Sequence, residues 1–173
     1  MKKMFKKILA LSLITIVFVS GFCINSQAET IDNSIEEFVV VKENIELLDN
    51  GITITTTITE RVLKTTDRNP SKAATYTKTG KATQTAKNGS TTLFSFTVHG
   101  TFTVNPGISA TCTSSSYSHS ITESAWSLDS ASASKSGNKA SASGTFKKKL
   151  LFITVDTMTL NLTLTCNANG VLS

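Results

Sequence analysis

The chain has 173 residues, with 17 Lys and Arg against 12 Asp and Glu, and two His. Four of the lysines lie within the first seven residues, so the rest of the chain, with 13 basic and 12 acidic residues, is nearly neutral. Because proteins that bind nucleic acids present a strongly basic surface, this balance excludes nucleic acid as an expected partner.

The first 28 residues have the three parts of a secretory signal peptide. Basic residues are followed by an apolar run from Ile8 to Phe22, and small residues precede a predicted cleavage site after Ala28. The apolar run is shorter than the ~20 residues that a membrane-spanning helix needs. We therefore expect a secreted, extracellular protein, at most loosely associated with the cell wall, without stable membrane insertion after cleavage.

Residues 29–66 form an acidic segment that is predicted to contain a β-hairpin. Its charge fits either a part that packs on the more basic remainder or a detachable pro-segment. Asn50-Gly51 favours a two-residue type I′ turn, which would place Leu47 opposite Ile54. The Thr-rich strand after this turn is expected to point its isoleucines to the core: Ile52, Ile54 and Ile58.

The polar stretch that follows has few large apolar residues. It is interpreted as a long loop or as two weak edge strands at residues 76–78 and 81–84. Asn88-Gly89 then predicts a turn into the next strand.

The clearest alternation in the chain runs from Phe94 to Cys112. Every second residue is apolar and the residues between them are mainly hydroxyl-bearing, which predicts a β-strand with one face on a core. Gly100 indicates a bulge or a close backbone approach and is expected to split the run into two strands. Asn105-Pro106-Gly107 favours a type II turn, interpreted as an arch to a second sheet.

The last third of the chain predicts further strands. Ser136-Gly137-Asn138 is interpreted as a three-residue loop, which places Leu128 opposite Phe146. The apolar residues 150–155 are expected to form the middle of a central strand, because such a strand is buried on both faces. Residues 158–166 again alternate, with their apolar side chains and Cys166 on one face.

About ten short strands and no convincing helix predict an all-β fold. The expected architecture is an antiparallel β-sandwich over residues 67–173, immunoglobulin-like in layout, and a partly closed β-barrel is the alternative.

Cys112 and Cys166 both fall on the apolar side of their strands. In an exported protein, thiols that meet in one core oxidise, so we expect a Cys112–Cys166 disulfide. Two separate buried thiols are the alternative.

Several short motifs between Lys78 and Gly170 carry a resemblance to a known group. They are Lys78-Thr79-Gly80, Asn88-Gly89, Phe96-Thr97-Val98, Cys112-Thr113, Trp126, the Ser-Gly-Asn turn at residues 136–138, and Leu164-Thr165-Cys166. The pattern resembles a family of small secreted Firmicutes proteins that carry a domain of unknown function. The resemblance implies export, a β-rich domain and a Gram-positive host, and it implies no activity.

No catalytic or metal-binding signature is present in the sequence. His99 is predicted on a polar strand face and His119 in a Ser-rich segment, without the spacing of a metal site or the Gly-x-Ser-x-Gly motif of many hydrolases. A non-enzyme without a cofactor is therefore expected, and both histidines are retained as candidate binding residues.

Lys147, Lys148 and Lys149 form the one run of like charge. They are candidates for binding an anionic polymer such as teichoic acid or a phospholipid, and the alternative is that they protect a strand edge from mispairing. Trp126, Tyr117 and Tyr76 are candidates for a sugar-stacking platform, although the alternation places Trp126 in the core.

These observations favour a non-catalytic extracellular module that binds a cell-envelope polymer, a glycan or a protein. The alternatives are a secreted toxin or antimicrobial matured by proteolysis between residues 64 and 72, and a hydrolase.

Overall fold

A computed structural model describes residues 36–63 and 74–173, which contain eight antiparallel strands and no helix. The strands are β1 (Glu36–Leu47), β2 (Ile52–Leu63), β3 (Tyr76–Asn88), β4 (Thr91–Asn105), β5 (Ser109–Ile121), β6 (Trp126–Ser136), β7 (Lys139–Leu150) and β8 (Ile153–Thr165). Among these residues, no helix is long and apolar enough to cross a membrane. The predicted signal peptide and the predicted cleavage region at residues 64–72 lie outside the described residues.

The strands form two sheets in which each strand pairs with its neighbour along the chain. Sheet A has the order β1-β2-β3-β4-β5 and sheet B the order β6-β7-β8. The sheets pack face to face and do not close into a barrel, so the all-β sandwich is confirmed and the barrel alternative is not. The hairpin of the acidic segment belongs to sheet A, because β2 pairs with β3.

The core lies between the two inner faces and follows the alternation of the sequence. Sheet A contributes Phe94, Phe96 and the three isoleucines of β2, all buried as predicted. Phe94 stacks on Phe146 of sheet B with ring centroids 4.0 Å apart. Trp126 lies 4.9 Å from the Phe94 ring, which confirms its core position.

Gly100 does not split the long alternating run, because β4 is continuous from Thr91 to Asn105. The predicted close approach is present: a Cβ at Gly100 would stand 2.8 Å from the Phe102 ring and 3.0 Å from Cβ of Ala140 on sheet B. β4 itself has no bulge at Gly100: the nearby register shift opposite Thr101 and Phe102 comes from an extra residue on β5, Thr113. A glycine at this position therefore lets an aromatic ring lie close to its own strand where the two sheets meet.

The interpretation of residues 76–84 as a loop or weak edge strands was wrong. β3 is a single strand of 13 residues and is the middle strand of sheet A. Its buried inner residues are Gly80, Ala82 and Ala86, and a Cβ at Gly80 would clash with the Leu172 side chain and the Thr59 carbonyl oxygen. Buried and exposed positions alternate in such a strand, but its inner side chains are too small to give a clear hydropathy signal.

The β1–β2 turn has three residues, not two. Leu48 N–H donates to the Ile52 carbonyl at 2.8 Å, and only Gly51 in this loop has a positive φ, of 78°. Leu47 therefore faces Thr53, and the predicted pairing with Ile54 was wrong. A three-residue loop with a left-handed glycine at its end is the next most common hairpin connection after the two-residue types.

The Asn105-Pro106-Gly107 turn connects two strands of the same sheet. Ile108 N–H donates to the Asn105 carbonyl at 3.0 Å and Gly107 has a φ of 75°, as a type II turn requires. β4 and β5 then pair with each other. The predicted turn type is consistent with the structure, but the predicted arch to the second sheet was wrong.

The β6–β7 hairpin reaches the predicted pairing by another route. Its loop has two residues, Gly137 and Asn138, instead of the three expected. Leu128 nevertheless lies opposite Phe146, because a bulge at Asp129 adds the residue that the loop lacks. The crossing from sheet A to sheet B takes place earlier, in the link between β5 and β6.

Candidate functional site

The β7–β8 hairpin ends in an apolar projection that we call the hairpin tip. Its turn is Leu151-Phe152, closed by the pair Leu150 and Ile153. The side chains of these four residues and of Val155 are between 53% and 99% exposed. The prediction of a central strand at residues 150–155 was therefore wrong, since the apolar residues lie at the end of a hairpin in contact with solvent.

Leu151 has a φ of 55°, and it is the one non-glycine residue with a positive φ among those that the structure describes. The left-handed conformation costs an ordinary L-residue about 1–2 kcal/mol. Gly or Asn would fit this turn position with less strain. Strained residues concentrate at functional sites, and here the strained residue is a leucine that is almost fully exposed.

The lysine run leads directly into the hairpin tip. Lys147 forms an ion pair of 2.9 Å with Asp129, the residue of the β6 bulge. Lys148 lies on the inner side of β7, opposite Trp126 on β6 and Asp156 on β8. Lys149 donates its backbone N–H to the Ala125 carbonyl at 2.8 Å. Because β7 is paired on both sides, the expectation that these lysines protect a strand edge was wrong.

A cleft of about 330 Å³, which we call the end cleft, opens at the base of the hairpin tip. The β1–β2 turn contributes Asn50, the last position of β3 contributes Asn88, and the β5–β6 link contributes Glu123. Sheet B contributes three residues of different chemistry: Trp126, Lys148 and Asp156. The end cleft thus collects one cation, two carboxylates and two amides where the two sheets separate.

The indole N–H of Trp126 has no hydrogen-bond acceptor. The side chain is only 4% exposed and lines the end cleft. A buried polar group without a partner is uncommon in native proteins and needs an explanation.

The two candidate histidines lie on opposite faces of sheet A. His99 is on the outer face among hydroxyl-bearing residues, and its Nε2 is hydrogen-bonded to Ser118 Oγ at 2.8 Å. Burial, reinforced by the positive charge of Lys81, lowers the pKa of His99 below its ordinary value. His119 pairs with Phe96 and has its ring 6.5 Å from that of Phe146, at the edge of the inner face. The structure does not bring the two rings into one site.

The hydroxyl groups of the outer face partly bond to each other. Thr83 and Thr97 face each other on β3 and β4, with 2.9 Å between their Oγ1 atoms. Lys81 places its Nζ 3.6 Å from the centre of the Phe38 ring. The polar strand face on which His99 was predicted is thus present as a hydroxyl-bearing face of sheet A.

The three aromatic candidates do not form a platform. Trp126 is buried in sheet B, whereas Tyr117 lies on β5 with its ring centroid 5.7 Å from that of Phe96. Tyr76 lies at the start of β3, where its hydroxyl donates to the Asn169 carbonyl at 3.5 Å. A flat stacking surface for a sugar would need these rings side by side.

Cys112 and Cys166 are both buried and are recorded as free thiols, so the expected disulfide is absent from this structure. Their backbone N–H groups donate to the carbonyls of two consecutive residues, Gly137 at 2.7 Å and Asn138 at 3.0 Å. Burial raises the pKa of both thiols, and the proximity of Cys112 adds to the increase at Cys166. Among the described residues, no group of His, Cys, Asp and Glu could hold a metal ion.

Sequence reasoning missed the hairpin tip and the end cleft for different reasons. The tip could have been found, because the apolar alternations of β7 and β8 can be aligned as the arms of one hairpin that closes at Leu151-Phe152. The end cleft could not, since its residues come from the β1–β2 turn, the end of β3, the β5–β6 link and all three strands of sheet B, which only the fold brings together.

The chain matches no protein-family model, no curated protein and no solved structure. The resemblance to secreted Firmicutes proteins stays a prediction.

Proposed function

We propose that this protein is a non-catalytic, exported binding module that docks reversibly on the surface of a lipid bilayer through its hairpin tip. The observation that carries the proposal is the group of five apolar side chains at the end of one hairpin, exposed to at least half of their area. Apolar surface of this kind, at a projecting point of the fold, is typical of a contact site.

The lysine run supports a lipid surface as the partner. Lys148 and Lys149 precede the tip, where their aliphatic stems can follow an apolar contact while their amino groups reach the phosphates. Each basic residue near an anionic membrane contributes about 1 kcal/mol of attraction. An uncharged apolar partner would make no use of this charge.

The other large exposed apolar side chains of the described residues lie mostly along β1. Residues 38–41 are a continuous run there, and charged residues separate it from Ile45 and Leu47: Lys42, Glu43 and Glu46. The β1 strand is also bulged between Val40 and Lys42, which is one of the devices by which proteins block pairing at a sheet edge. The tip is therefore the better candidate for docking.

Co-sedimentation with vesicles tests the proposal. The full mature chain should bind vesicles that contain phosphatidylglycerol, and the double variant Leu151→Ser, Phe152→Ser should lose most of this binding. Both side chains are almost fully exposed, so the variant should fold normally. Ile108→Ser is the matched control, because Ile108 is 75% exposed in the β4–β5 turn, away from the tip.

Three outcomes would contradict the proposal. Equal binding by the tip variant and the parent chain would show that the tip is not the contact. Binding to purified teichoic acid without binding to vesicles would identify a wall polymer as the partner. Release of a trapped dye from the vesicles would favour the secreted toxin over a docking module.

We also propose cleavage after Ala28 and a Cys112–Cys166 bond in the exported protein. Two observations support the bond. Both cysteines face the core, and their backbone N–H groups donate to the carbonyls of two adjacent residues of the β6–β7 turn, Gly137 and Asn138. Protein purified from the culture medium should begin at Glu29 and gain about two mass units on reduction, from the two hydrogens that the thiols recover. An unchanged mass on reduction would contradict the bond.

A further inference from the structure

We infer that the end cleft binds the phosphoethanolamine headgroup of a membrane lipid. The inference rests on the proposed docking function for the source of the ligand.

The end cleft lies at the base of the hairpin whose tip is proposed to dock. Lys148 and Asp156 form the strand pair at the base of the hairpin, and Asp156 lies one residue from Val155 of the tip. When the tip enters the apolar layer of a bilayer, the base of the same hairpin lies at the level of the headgroups. The cleft is thus placed to receive a headgroup and is too near the surface to receive an acyl chain.

The charges of the end cleft select the kind of headgroup. Lys148 supplies one positive charge, and Glu123 and Asp156 supply two negative charges. Within the described part of the chain, none of the three forms an ion pair with another residue; the two ion pairs recorded there join other side chains. A ligand with a phosphate and a primary ammonium group satisfies both signs at once.

Headgroups of other types fit less well. An anionic headgroup without an amine, such as phosphoglycerol, would leave two carboxylates unpaired beside a phosphate. Phosphocholine carries a quaternary ammonium that has no N–H to donate to Glu123 or Asp156. The carboxylates should therefore distinguish ethanolamine from both.

Hydrogen-bond donors at the cleft provide the second observation that points to a ligand. The Trp126 indole N–H is nine-tenths buried and has no acceptor. The amide of Asn50 uses only its oxygen, which accepts from Ile52 N–H at 3.1 Å. The amide N–H groups of Asn50 are suited to the oxygens of a phosphate or a glycerol ester, and Trp126, as a lining residue, reports whether the cleft is occupied.

The size of the end cleft agrees with this ligand. A volume of about 330 Å³ equals the liquid volume of about ten water molecules. Phosphoethanolamine has eight non-hydrogen atoms outside its glycerol ester, so the headgroup fits with room for bridging waters.

The cleft can be tested in solution, apart from docking. Glycerophosphoethanolamine, which has no acyl chains, is titrated into the full mature chain while the indole N–H resonance is followed by NMR. Trp126 is the only tryptophan in the sequence, so this resonance is assigned at once. A saturable shift is expected, and it should be lost in the double variant Glu123→Gln, Asp156→Asn.

Vesicles then test the same site on a membrane. The parent chain should bind mixtures of phosphatidylethanolamine and phosphatidylglycerol about tenfold more tightly than mixtures in which phosphatidylcholine replaces the ethanolamine lipid, the gain of about one charge-assisted contact. The Glu123→Gln, Asp156→Asn variant should bind both mixtures equally. Asp129→Asn is the control, because that carboxylate lies outside the cleft, in the ion pair with Lys147.

The outcomes separate this inference from the proposed function. Absence of an indole shift, or equal binding of the two lipid mixtures by the parent chain, would overturn the headgroup site while loss of binding in the Leu151→Ser, Phe152→Ser variant still supported docking. A persistent indole shift in the Glu123→Gln, Asp156→Asn variant would also overturn it. If glycerophosphoethanolamine shifts the indole resonance but the chain binds none of the vesicles, the headgroup site is supported and the docking function is contradicted.

Discussion

The ring of Phe96 on sheet A lies against the backbone of Gly144 on sheet B. A Cβ placed on Gly144 would stand 2.9 Å from two atoms of that ring. Phe96 is fully buried and makes an edge contact with Phe146 at 5.9 Å, so its ring has little space to move. The distance between the two sheets is therefore set at this point by an aromatic ring packed on a glycine.

Gly144→Ala should destabilise the protein, although alanine is normally the better strand residue. The gain from lower chain entropy is about 0.5–1 kcal/mol, whereas overpacking of a closed core costs about 1–3 kcal/mol. We expect a lower urea midpoint for unfolding. Ser143→Ala on the neighbouring outward position is the control and should change stability by less than about 0.5 kcal/mol; equal effects of the two substitutions would contradict the packing argument.

Deletion of Asp129 should be tolerated, because it removes the bulge and keeps the register. Ser130 pairs with Thr145 and Leu128 with Phe146, so without Asp129 these pairs become neighbours in a regular ladder and Leu128 keeps its face. The lost ion pair with Lys147 is worth at most about 1 kcal/mol. Deletion of Ser132, which is paired with Ser143, should instead reverse the faces of Leu128 and Trp126 and abolish native tryptophan fluorescence and cooperative unfolding; similar behaviour of the two deletion variants would show that the bulge does not set the register.

The thiols of the reduced protein should react slowly while it is folded. Burial raises the pKa of Cys112 and Cys166, so the thiolate that reacts with iodoacetamide is scarce at pH 8. As the pH rises above about 8.5, thiols of the unfolded chain ionise first, and the free energy of unfolding should fall. Labelling rates and urea midpoints at pH 7–10 check both effects. In a Cys112→Ala, Cys166→Ala variant, this fall of the free energy of unfolding at high pH should disappear. Rapid labelling of the folded chain would contradict the burial of the thiols.

Protonation of His99 should oppose folding. Burial and the charge of Lys81 lower its pKa, so the unfolded chain takes up the proton first. The stability contribution is therefore present above pH ~6.5 and is lost as the pH falls through that value toward the folded pKa. Lys81→Met should raise the pKa of His99, which an NMR titration of its ring protons measures. Lys87→Met on the same strand is the control. A lower pKa of His99 in the Lys81→Met chain would contradict the assigned role of the Lys81 charge.

The all-β class and the core were accessible to sequence reasoning because large side chains alternate in β4 and β8. The same reasoning failed for β3, where the inner residues are Gly80, Ala82 and Ala86. These residues bury little area of their own, and the absence of a side chain at Gly80 is explained by the Leu172 side chain and the Thr59 carbonyl, which fill the space of a Cβ. Alternation of volume across a core is a relation between strands, and no single stretch of sequence contains it.

The apolar residues 150–155 show the opposite error. High hydropathy predicted burial, but burial depends on what covers a residue, and nothing covers the end of a hairpin. The pairing of Leu128 with Phe146 was predicted correctly from a loop of the wrong length, since a loop residue and a bulge residue shift the register equally. The end cleft depended on residues from both sheets and from the link between them, and was beyond sequence reasoning.

The order of strands has a consequence for how the molecule folds. Every strand pairs with the strand next to it in the chain, so each sheet can grow hairpin by hairpin, with short loops to close. The closure of one sheet upon the other, around the β5–β6 link, is the remaining step that joins distant parts of the chain. We therefore expect this sandwich to fold faster than sandwiches whose strands pair across long connections.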